Sequence, residues 1–179
     1  MARYPVIYAG QRITGSLLQS MLPDVIMKAV NEDRVTTTTF TADSELTTTL
    51  DANATYHVTM YIQFAATDAA GFQTQWIIPT GATGSRSGFG AAYELSSSST
   101  ATAQAANGGY HRSGIHALTT TVRYGTRNSA SNQAIALEEG TVITGSSGGT
   151  LALAWAQAIS NASATRVGAG STMHIRRIA

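Results

Sequence analysis

The sequence predicts an all-β fold, a jelly-roll β-sandwich preceded by a short extended segment and one short helix. Three observations carry this. Several stretches alternate bulky residues with small or polar ones at period two, the mark of a strand with unlike faces. Clusters of Gly, Pro, Asn, Asp and Ser separate about eight to ten such stretches. No helix-period segment follows the first 23 residues. The chain of 179 residues is long enough for one buried core and short for two domains.

Residues 1–9 read as extended, with Pro5 fixing one φ angle, and Gly10 breaks the run. Thr14 is placed to cap a helix running to Leu22, with Ile13, Leu17, Leu18, Met21 and Leu22 on its apolar flank and Pro23 at its end. A helix this short is unstable alone in water, so it needs a surface to lie on. That surface is either its own domain or a larger assembly. Residues 24–30 form the first strand candidate and 31–34 a charged turn. Residues 35–50 are Thr-rich, with Phe40, Leu46 and Leu50 inward.

Residues 54–66 give the clearest strand, with Tyr56, Val58, Met60, Ile62 and Phe64 on one face and His57, Thr59, Tyr61 and Gln63 on the other. Residues 72–78 give another, and the short connection predicts an antiparallel hairpin of the two. The signal weakens over 81–114, where 89–95 is a strand candidate and 96–109 a Ser/Ala/Thr-rich loop. Strand patterns return at 116–124, 133–137 and 141–144, with a polar loop at 128–132 and a Gly-rich turn at 145–149.

The closing stretch alternates most regularly. Leu151, Leu153, Trp155 and Gln157 share one face, and Ala152, Ala154, Ala156 and Ala158 the other. The bulky face is expected to be buried and the alanine face to permit close approach of another surface. A short strand at 165–167 and the bend Gly168-Ala169-Gly170 lead into a last strand, 171–178, with Met173 and Ile175 opposite His174, Arg176 and Ile178.

Charged residues make up only 12% of the chain against 43% hydrophobic. A free monomer normally relies on Lys and Glu for solubility, so much of this surface is expected to be covered by copies of itself or by other subunits. The net charge of +1 gives no basic footprint for nucleic acid, and no apolar run reaches the length of a membrane span. No apolar core of a secretory signal follows Arg3. The absence of cysteine excludes disulfides, thiol catalysis and Cys-type zinc sites.

The residues point to no catalytic group, metal ligand or cofactor. His57, His111, His116 and His174 have no partner at metal-ligand spacing. The acidic residues fall nearly all in expected turns. Glu138 and Glu139 read as a solvated turn; on a strand they would face opposite ways and form no catalytic pair unaided. No nucleophile elbow or phosphate loop occurs. Arg176 and Arg177 read as a solubilising sheet edge, with pairing to acidic groups of a neighbouring subunit as the alternative.

The opening ARYPVIYAGQRITGSLLQSMLPD resembles the start of short virion proteins of actinobacterial phages and prophages. The ending LALAWAQAISNASATRVGAGSTMHIRRIA resembles the last strands of the same family, where a W-A-Q…S-N-x-x-x-T…V…G-S run closes a trimeric, tumour-necrosis-factor-like jelly roll. Here those positions are Trp155, Ala156, Gln157, Ser160, Asn161, Thr165, Val167, Gly170 and Ser171. Where the family often has an aromatic residue after the Gly-Ser, this chain has Thr172.

The resemblance implies a non-enzymatic homotrimer in which residues 1–23 attach the particle and 24–179 form the trimerising jelly roll. Its partners would be itself and other phage structural proteins, and its location the virion, assembled in the bacterial host cytoplasm. As a minor tail or fibre protein it would offer Phe89, Tyr93, Tyr110 and His111 as candidate surface contacts. A capsid decoration protein and a carbohydrate-binding module for host glycan are the alternatives.

Overall fold

The period-two patterns become strands that alternate between two facing sheets. The computed structural model describes residues 5, 7–91, 93–95, 101–103 and 114–179. Among the described residues a single short helix, α1 (Gly15–Gln19), precedes β1 (Asp24–Met27), β2 (Glu32–Arg34), β3 (Thr41–Leu50), β4 (Thr55–Ala66), β5 (Phe72–Ile77) and β6 (Thr83–Gly90). There follow β7 (Tyr93–Leu95), β8 (Ala101–Ala103), β9 (His116–Ala117), β10 (Val122–Tyr124), β11 (Ser129–Ile143), β12 (Gly149–Ala156), β13 (Thr165–Val167) and β14 (Thr172–Arg177).

An eight-stranded sheet runs β1-β14-β4-β11-β6-β9, with β13 bridging β4 and β2; a four-stranded sheet runs β10-β5-β12-β3; β7 and β8 pair separately. The pairings are antiparallel. The two sheets pack as a jelly-roll β-sandwich, as the sequence predicts.

Successive strands cross from one sheet to the other, and this corrects the expected hairpin. β4 lies in the large sheet between β14 and β11, and β5 in the small sheet between β10 and β12. Phe64 of β4 and Phe72 of β5 stack across the interior instead, with ring centroids 4.3 Å apart and planes 15° from parallel. The crossing turn closes through Gly71, whose φ is +67° and whose missing Cβ leaves room for Ala158.

The inward face of β4 joins Trp76 of β5, Leu151, Leu153 and Trp155 of β12, and Met173 and Ile175 of β14 in one core. The alanine face of β12 is the second correction. Ala152, Ala154 and Ala156 are already buried within this chain, flanked in register by Thr47 and Ile77, by Ala42 and Gln75, and by Gln73. Small residues in a central strand are covered by their taller neighbours, so they need no second molecule above them.

Three segments differ further. The charged turn at 31–34 is largely strand β2, held by β13. The stretch 116–124 divides into β9 of the large sheet and β10 of the small one. The segments at 133–137 and 141–144 belong to one long strand, β11, which places Glu138 and Glu139 mid-strand rather than in a turn. β14 lies between β1 and β4, but β1 pairs with it only as far as Ile175, so Arg176 and Arg177 pair with β4 alone and lie on an open edge; Arg177 reaches Asp51 at 3.0 Å.

Candidate assembly surfaces

The N-terminal segment folds as its capping residue dictates and leaves its apolar flank in solvent. Thr14 is extended, and its hydroxyl accepts from the Leu17 amide at 3.2 Å. The regular helix stops at Gln19, but amide bonds from Met21 to Leu18 and from Leu22 to Gln19 carry the turn on to Leu22. Ile13, Leu18, Met21 and Leu22 are exposed, Leu22 at 67%, and Leu17 is half-buried. Gln19, Ser20 and Leu22 line a groove of about 270 Å³ against the Thr48–Leu50 end of β3 and Ile175 of β14.

Of the four candidate surface contacts, Phe89 stands on the outer face of β6, 38% exposed. With Ile135, Leu137 and Gln133 it lines a groove of about 480 Å³. Tyr93 belongs to β7, paired with Ala103. Tyr110 and His111 lie outside the described residues.

Two groups of charges that sequence reasoning missed are buried and structural. Period two turns Glu138 inward with Ala136 and Val142 and leaves Glu139 outward. The Glu138 carboxylate accepts from Tyr124 Oη at 2.8 Å, from Trp76 Nε1, from Thr74 Oγ1 and from Arg86 Nη1. All four donors are buried, which satisfies the charge that the core would otherwise exclude. Burial first, then the Glu138 charge, pushes the Tyr124 hydroxyl far above its ordinary pKa.

The second group closes the side of the sandwich between β1 and β3. Lys28, the sole lysine, is buried, with Nζ 2.8 Å from Asp43 and 3.2 Å from Glu32. Burial alone would lower its pKa, but Asp43 and Glu32 outweigh that and hold it above the usual lysine value. Trp155 Nε1 donates to the other Asp43 oxygen at 3.0 Å, and the Arg34 guanidinium lies 3.8 Å over the Trp155 ring. Arg34 also donates to the carbonyls of Thr41 and Ala42, and Glu45 accepts the amides of Ala29 and Val30. These bonds occupy backbone groups along an edge that would otherwise invite another strand.

His57 is paired: its Nε2 lies 2.8 Å from Glu139 Oε1 on the outer face of the large sheet. His174 is exposed on the same face, and His116 stands on β9. Among the described residues no three His, Cys, Asp or Glu side chains converge as a metal site requires. No helix among them is long and apolar enough to cross a membrane.

No family model and no curated protein matches the chain. Among solved structures, the subviral particle of VP2 from infectious bursal disease virus aligns over 99% of this chain and 47% of its own, at 11% identity and a TM-score of 0.22. Structures of the Gx and Gt strains of that virus align over 87% of this chain and 40% of theirs, at 9% and 11% identity and TM-scores of 0.19 and 0.18. The chain thus spans less than half the length of these viral proteins.

Proposed function

We propose that this chain is a non-enzymatic structural protein of a phage virion. It would act as a homotrimer of jelly rolls fixed to the particle by residues 1–23, assembled in the bacterial host cytoplasm. The observation that carries this reading is the uncovered flank Ile13, Leu18, Met21 and Leu22, which its own sandwich leaves in water. A contiguous exposed apolar segment on a chain with only 12% charged residues fits a surface that is covered in use. The family resemblance of both ends supports the same reading.

Deleting residues 1–22 tests it. The truncated protein is expected to remain a folded trimer and to be absent from purified particles. Normal incorporation of the truncated chain would overturn the attachment role. A minor tail or fibre position is the favoured one, with Phe89, Tyr93, Tyr110 and His111 as host contacts. Copy number separates it from capsid decoration: a few copies per particle fit a tail, and a number commensurate with the major capsid protein fits decoration. Binding of the isolated trimer to a glycan array would favour the carbohydrate-recognition alternative.

A further inference from the structure

The outer face of the large sheet carries an apolar row that the sequence does not reveal, because its members come from five strands. Register sets Met27 of β1 beside Thr172 of β14, Thr172 beside Tyr61 of β4, Tyr61 beside Leu137 of β11, and Leu137 beside Phe89 of β6. Met27 is 65% and Tyr61 39% exposed, and the exposed Val25 and Ile135 flank the row. The outer face of the small sheet is different. Its rows are built from Thr47, Ala152 and Ile77 and from Ala42, Ala154 and Gln75, with Ile77 as the exposed large apolar residue.

Charge and area say what fits the large-sheet face. The charges on this face balance: Arg176 and Glu139, the latter held by His57, and at the β13–β2 end Arg166 and Asp33, paired with each other at 2.7 Å. A neutral, half-apolar surface repels no copy of itself and gives no attraction to a strongly charged partner. Six strands at about 4.8 Å spacing and the eight residues of β6 at about 3.3 Å each give a face of roughly 24 by 26 Å. That is roughly 600 Å² in projection, most of the ~800 Å² per partner of a standard interface.

We infer that this face, centred on Met27, Thr172, Tyr61 and Leu137, is where copies of this chain meet. The inference rests on the trimer reading above for its stoichiometry, replaces the alanine face of β12 as the contact surface, and assigns Phe89, in register with Leu137, to the contact between copies rather than to the host contacts. The chain has no cysteine, so single introduced thiols report the interface in the full-length protein. Met27→Cys stands in the row, and Thr150→Cys is exposed on the small sheet. Maleimide labelling and light-scattering mass are measured on the same samples.

In the trimer, Met27→Cys is expected to label at least tenfold more slowly than Thr150→Cys. Tyr61→Glu is expected to convert trimer to monomer with an unchanged circular dichroism spectrum, and Ile77→Glu to leave the trimer intact. A trimer in which Met27→Cys labels as fast as Thr150→Cys overturns this face while leaving the trimer reading standing. A wild-type protein that is monomeric at every concentration overturns both. If Tyr61→Glu fails to fold, the labelling ratio decides alone.

Discussion

At the scale of single residues, neighbours in sequence have opposite fates. Glu138 is fully buried under four donors, while Glu139 is exposed and touches His57. Glu138→Ala leaves the buried Arg86 guanidinium without its counter-charge and strips an acceptor from Tyr124, Trp76 and Thr74. The expected cost is about 3–5 kcal/mol, read as a lower urea midpoint at unchanged slope. Glu139→Ala removes an exposed pair and is expected to stay within about 0.5 kcal/mol of wild type.

Acid acts on the other charge cluster. Burial would raise the Glu32 carboxyl, but the Ser44 amide, Arg34, the Ser44 hydroxyl and Lys28 hold it at about 2, below its ordinary 4.5. A carboxyl depressed on folding binds its proton more weakly in the native state. Its stabilisation is therefore complete above the unfolded value and fades as pH falls from about 4.5 to about 2. Arg166 holds Asp33 below its ordinary value too, and its loss falls on the same acidic side. Glu32→Gln is expected to flatten the acid limb of the stability curve between pH 4.5 and 2, measured by denaturation at stepped pH.

At the scale of elements, β6 shows what a pattern reading misses. Its inward positions are Gly84, Arg86, Gly88 and Gly90, opposite Val142, Gly140, Glu138 and Ala136. The space over Gly88 and Gly90 is filled by Tyr124: a Cβ on Gly90 would lie 2.7 Å from its Cδ1, and one on Gly88 would run into its Oη. Gly88→Ala is expected to destabilise by about 1–3 kcal/mol through overpacking, although alanine is the better strand former. Thermal unfolding of the variant checks this. A gain in stability would show that Tyr124 does not lie on the β6 backbone.

The same strand explains where the sequence was legible. β4, β12 and β14 each build a core face from their own side chains, so alternation exposed them. Much of the inward face of β6 is filled from β10, so its own inward positions show only Gly around one arginine. The expected hairpin of 54–66 with 72–78 failed for a related reason. Short connections favour pairing of neighbours in many folds, but here the turn ending at Gly71 carries the chain across the interior. Glu138 was readable in retrospect from its period with Ala136 and Val142, once 133–143 is taken as one strand. The apolar row from Met27 to Phe89 was not readable, because register between distant strands assembles it.

At the scale of the molecule, exposed large apolar side chains of the described residues gather in two groups, the helix flank before β1 and the outer face of the large sheet, while others such as Ile77 and Ile115 stand apart. The two groups lie on separate parts of the chain, so attachment and self-association are expected to be separable. Removing residues 1–22 is expected to change the oligomeric mass only by the mass of the missing segments, and Tyr61→Glu to abolish the oligomer without touching Thr14 or α1. The central claim is that this 18.7 kDa chain is a subunit completed by its own copies. Its most direct test is the mass of the full-length protein by light scattering across a hundredfold range of concentration. The expected result is a particle of three times 18.7 kDa, about 56 kDa. A mass of 18.7 kDa throughout the range would contradict it.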